Sequence, residues 1–174
     1  MRKDQRKYAG KNVAQYGMLI ALAFVFSYVE AMIPLPLPVP GMKLGLANLV
    51  SVVGLYTVGL AGTAVTALVR IVLVGFTFGN TFSMIYSLAG GLMSMMVMAG
   101  AKKSGWFGTA GVSILGGVFH NVGQLAVAAY VTRTAGVFAY FPVLMAAGVV
   151  AGMVIGMLGG WIVERTKSVT KGMK

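Results

Sequence analysis

The stretch VAQYGMLIALAFVFSYVEAMI, Val13–Ile33, decides the architecture, because 21 residues run with a single charged side chain, Glu30. A helix needs roughly 20 apolar residues to cross a bilayer core about 30 Å thick. Residues 1–11 ahead of it carry five basic side chains and one acid. A signal peptide also starts basic, but its apolar region is only about 7–15 residues. The segment therefore reads as an uncleaved first transmembrane helix. Directly after it, Pro34, Pro36, Pro38 and Pro40 alternate with other residues and close on Gly41. Alternate prolines stop a helix and favour extended backbone, so residues 34–42 read as a stiff loop.

The rest of the chain repeats the first pattern. Of the 174 residues, 58% are hydrophobic and 10% are charged, with mean hydropathy +0.87, against roughly 25% charged in a soluble domain. Such a chain cannot cover a water-facing surface, which excludes a soluble enzyme. Further spans are expected at about Lys43–Leu60, Thr63–Phe78, Phe82–Ala101, Thr109–Val131 and Phe138–Val163, separated by Gly-rich, Asn-containing or basic turns. The expected fold class is an all-α integral membrane protein, a compact bundle of six transmembrane helices. Its organisation is a basic tail 1–12, a single membrane domain 13–163 and a second basic tail 164–174.

The net charge of +11 is unevenly placed. Eleven of the 14 Lys and Arg residues fall in the two tails and at Lys102–Lys103, against Lys43 and Arg133 on the other side and Arg70 within a span. The positive-inside rule then puts both termini in the cytoplasm of a multi-pass protein of the cell membrane. Topology and contact with anionic lipid account for the basic excess, and no nucleic-acid partner is expected.

Absences narrow the chemistry. With no cysteine and one histidine, thiolate sites, disulfides and bis-His haem are excluded. No GxxxxGK[ST] loop occurs, so any ATP-driven work belongs to another chain. The acids are Asp4, Glu30 and Glu164, too few and too scattered to cluster on Mg²⁺ as prenyl-diphosphate chemistry requires. No catalytic residue, metal site or cofactor is expected, and the chain is not expected to be an enzyme by itself.

Gly148, Gly152, Gly156 and Gly160 recur every fourth residue and put a bare stripe on one face of the sixth helix, where another backbone can approach. Gly62 and Thr66, and Gly17 and Ala21, are shorter versions. The stripe on the sixth helix reads as internal packing, whereas Gly17 and Ala21 could also serve a separate membrane partner.

Polar residues inside spans are costly and mark cavities or partners. Glu30, Lys43, Asn48, Arg70, Tyr86, His120, Asn121 and Gln124 fall between the midplane and the outer surface. The expectation is a binding pocket open to the outside under the 34–42 loop, suited to an anionic or amide-rich small molecule. Against it stands a structural alternative, with Glu30 paired to Arg70 or Lys43 and His120 satisfied by backbone.

Four strings carry a family resemblance: Ser27-Tyr28-Val29-Glu30, the block from Ile33 to Asn48, Tyr86-Ser87-Leu88-Ala89-Gly90-Gly91, and His120-Asn121-Val122-Gly123-Gln124. Together they resemble the Gx transporter family, whose members are also labelled heptaprenyl diphosphate synthase component I. That family is similar, more distantly, to the S components of energy-coupling factor (ECF) vitamin transporters. The resemblance implies a substrate-binding subunit with a ligand in the outer half, gated by the loop after the first helix. It also implies a docking face at Gly17 and Ala21 for a transmembrane coupling subunit that works with cytoplasmic ATPases. Two other classes stay open: a membrane component of isoprenoid, quinone or flavin-linked redox metabolism acting with a soluble partner, and a solitary ion-coupled carrier using Glu30 or His120.

Overall fold

A computed structural model describes residues 2–33 and 45–172. The proline loop and Lys43 lie outside the described residues. Within them the chain is all-helical: α1 (Arg2–Met32), α2 (Asn48–Thr57), α3 (Gly59–Thr77), α4 (Thr81–Ser104), α5 (Thr109–Thr132), a 3₁₀ turn Ala135–Tyr140 and α6 (Phe141–Gly172). Five of the six α-helices are long and apolar enough to cross a membrane.

The exception is α2. Its ten residues rise about 15 Å, half the hydrocarbon thickness. The second span expected from Lys43 to Leu60 is described as helix only from Asn48. Gly45, Leu46 and Ala47 form the turn that starts it, with Asn48 N–H donating to Gly45 O at 2.8 Å and Leu49 N–H to Leu46 O at 3.1 Å. Gly45 has φ +88°, a backbone state that a side chain disfavours. At the other end Val58 and Gly59, with φ +79°, reverse the chain into α3.

Local chemistry sets the remaining ends. Asn80 caps α4 by accepting the Ser83 N–H at 2.8 Å. Pro142 sits in the first turn of α6, where its missing N–H removes no helical bond. Hydroxyls inside the helices bond back one turn, as Thr63 does to Gly59 O and Thr66 to Gly62 O; this satisfies them where water is absent.

α5 lies between α4 and α6 and runs opposite to both, as Gly148, Gly152 and Gly156 face Gly117, Ile114 and Ala110 in turn, and Gly90 and Met98 face His120 and Gly116. Beside them α1, α2 and α3 pack together, joined to the first group through α3–α4 and α2–α6. The α5–α6 seam is a backbone contact. A Cβ on Gly148 would lie 3.0 Å from the Gly117 backbone, one on Gly152 would lie 2.6 Å from Ile114 Cα, and one on Gly156 would lie 2.6 Å from Ala110 Cα. Gly160 is looser, with Thr109 at 3.6 Å. Gly17 has nothing within 4 Å and, like Ala21, lies on an exposed face of α1.

The apolar core comes in separate parts. Val52, Leu55, Met98, Ala101, Val112 and Ile155 form one cluster toward the side of the termini. Tyr86, Leu125, Ala128, Val137 and Leu144 form another toward the opposite side. Between the two lies a band of buried polar residues. On the termini side, Lys102 of α4 donates to Leu55 O at 2.6 Å, and its ammonium stands 4.6 Å from the Tyr56 ring centre. A cation at the carbonyl end of α2 is favourable for the helix dipole.

Candidate functional site

The polar band is assembled by five helices. From α1, Glu30 and Ser27 stand one turn apart and both are buried. The Glu30 carboxylate accepts the Gly45 N–H at 2.6 Å, which ties the end of α1 to the start of α2. Arg70, from the middle of α3, donates through Nη1 to Ser27 Oγ at 3.1 Å and interacts electrostatically with Glu30. The two buried charges therefore compensate each other. A lone buried charge is far more costly than a paired one.

From α5 come His120 and Gln124, one turn apart, with Gln124 Nε2 at 2.8 Å from His120 Nε2. This contact joins the amide and the imidazole into one hydrogen-bonded pair. The ring lies against the bare backbone of Gly90 on α4, where a Cβ would come within 2.9 Å of Nδ1. On its other side His120 Cδ2 lies 3.5 Å from the position a Gly45 Cβ would take, and Asn48 Nδ2 is 2.7 Å from that position. Gly45 is thus where Glu30, Asn48 and His120 converge.

Two of the sequence candidates have a different setting. Asn121 turns to α6 and donates to Leu144 O at 2.6 Å, bracing the α5–α6 seam. Tyr86 is buried within the apolar cluster with Leu125, Ala128, Val137 and Leu144. Lys43 falls outside the described residues.

Sequence reading missed Ser27, although its spacing from Glu30 was a usable signal: residues three apart share a helix face. It also missed Gly45, whose role depends on what approaches it in space. On the termini side of Arg70 is a small cavity of about 10 Å³, lined by Ser51, Thr63, Thr66 and Arg70 among others, at the lower limit for holding one water. Two larger grooves are lined by aliphatic residues on the outside of the bundle. One of about 80 Å³ lies between α3 and α4 at Ile71 and Leu88, and one of about 190 Å³ among α1, α2 and α6 at Leu22, Leu49 and Ile162. No group of three or more potential metal-ligating residues occurs among the described residues.

Long apolar helices around a buried polar band define a multi-span membrane protein. The family model described as Heptaprenyl diphosphate synthase component I matches residues 19–162, most of the chain, and the chain belongs to that family. No curated protein and no solved structure matches it.

Proposed function

We propose that the protein is the membrane-embedded substrate-binding subunit of a small-molecule importer. The ligand binds in the outer half of the bundle, beneath the 34–42 loop. The protein resides in the cytoplasmic membrane with both termini inside, and partner subunits with ATPase activity supply the energy. One observation supports this reading above the others. Glu30, Asn48, Arg70, His120 and Gln124 come from four different helices, yet they are buried in one band around Gly45. Polar groups gathered inside a membrane domain at such a cost mark a ligand path or site. The exposed small-residue face at Gly17 and Ala21 would admit a close-packed coupling subunit.

The family description favours a second reading, a membrane component of isoprenoid metabolism working with a soluble partner. In either reading this chain binds and does not catalyse, since its three acids cannot build a carboxylate-held Mg²⁺ site.

Purification in mild detergent, with mass spectrometry of bound proteins and small molecules, tests the proposal. The expected result is a membrane coupling protein with ATPases and a retained small molecule. Recovery of a prenyltransferase alone, with no retained small molecule, overturns it in favour of the second reading.

A further inference from the structure

Within the bundle α2 is a half-length helix, and its start lies in the polar band. The N-terminus of a helix carries a partial positive charge of about half a unit. Discontinuous membrane helices use such ends to hold anionic groups of substrates. The terminus alone decides nothing, because its first N–H groups are already used: Asn48, Leu49, Val50 and Ser51 donate to carbonyls of Gly45, Leu46 and Ala47.

The deciding observation is the Asn48 side chain. Asn48 is only 8% exposed, and its Nδ2 has no hydrogen-bond partner among the described residues. The amide folds back over Gly45, three residues ahead, so the donor points beyond the positive end of α2. A buried amide donor left unmatched costs about 1–3 kcal/mol, and few such groups persist in folded proteins without a partner or a role. Glycine at position 45 keeps that donor uncovered, since a Cβ there would lie 2.7 Å from Asn48 Nδ2.

The chemistry of what fits follows from the charges. An N–H donor at a positive helix end selects an acceptor and rejects an ammonium. Glu30 and Arg70 are buried charges of opposite sign that act on each other electrostatically, so together they add no net charge for the ligand. Among the described residues, half a unit of helix charge plus one amide donor suits a single negative charge. It leaves a diphosphate, with its one or two extra charges, largely uncompensated in a medium of low dielectric.

We propose that the site takes a small molecule with one carboxylate, seated at the N-terminus of α2 and accepting a hydrogen bond from Asn48 Nδ2. The proposal rests on the outer-half binding reading above and adds the substrate class.

Nuclear magnetic resonance on the full chain in lipid nanodiscs tests it, using ¹⁵N-labelled asparagine and glycine. The chain has four asparagines, and the Asn121 amide, bonded to Leu144 O, serves as an internal control. Acetate, acetamide and pyrophosphate at pH 7 are the probes. Acetate should shift Asn48 Nδ2 and the Gly45 N–H saturably in the millimolar range while Asn121 stays still. Acetamide should bind at least tenfold more weakly, and pyrophosphate no more tightly than acetate. Asn48→Asp, an acid tolerated at a helix N-terminus, should abolish the acetate response at Gly45. If acetamide or pyrophosphate binds as well as or better than acetate, the carboxylate assignment fails and the outer-half site stands. If no probe shifts these resonances saturably, both fall.

Discussion

The Glu30 carboxylate of α1 accepts the backbone N–H of Gly45 at 2.6 Å, across 15 residues of sequence. Through this bond the end of a full span holds the start of the half-length α2. The same carboxylate acts electrostatically on Arg70 of α3, which is bonded to Ser27 one turn before Glu30.

Removing one of these two opposite buried charges should be severe, at roughly 3–5 kcal/mol, while removing both should be milder. Glu30→Gln retains an acceptor for Gly45 but strands the Arg70 charge. Both Glu30→Gln and Arg70→Gln are expected to lower the unfolding temperature in detergent sharply. The double variant should recover part of the loss. Strict additivity in this cycle would show that the two charges do not act on each other.

The glycine stripe on α6 predicts a graded response. Gly152→Ala would push a methyl to 2.6 Å from Ile114 Cα, where backbone cannot give way, and should cost about 1–3 kcal/mol. Gly160→Ala meets Thr109 only at 3.6 Å and should stay within about 0.5 kcal/mol of the parent. Thermal unfolding of both variants in one detergent checks the contrast.

Lys102→Met keeps the aliphatic stem but strips the ammonium from Leu55 O and from the Tyr56 ring. A charged hydrogen bond contributes about 1.5–3 kcal/mol when buried, and the partial exposure of Lys102 reduces this to about 1 kcal/mol. A small fall in unfolding temperature is expected, with ligand retention unchanged.

For the site itself, Arg70→Ala and His120→Ala should each reduce small-molecule retention about tenfold or more, equivalent to at least about 1.4 kcal/mol, without preventing membrane insertion. Mass spectrometry of the purified variants reads the first effect and membrane fractionation the second. Unchanged retention in both would assign these residues to structure alone.

Gly17→Leu and Ala21→Leu alter an exposed face of α1, so stability should move by no more than about 0.5 kcal/mol. Co-purification of a coupling subunit should be lost. Retention of that partner by both variants would remove this face from the proposed docking surface.

What the sequence determined by itself was whatever depends on composition and period: the membrane class, five long spans, the turn at Gly79–Asn80 and the four-residue glycine stripe, whereas the break expected at Lys102 falls only at Gly105, after Lys102–Ser104 complete α4. These are local properties, since transfer into lipid is summed over about 20 residues and a helix face is fixed by 3.6-residue geometry. The tertiary structure alone decided the rest. That α2 is described as helix only from Asn48, that Asn121 reaches Leu144, and that Tyr86 belongs to an apolar cluster all depend on which neighbour stands across the gap. Hydropathy gives the depth of a polar residue but not its direction around the helix axis. The partners of Glu30 and Arg70, 15 and 43 residues away in sequence, became visible only once the helices were packed.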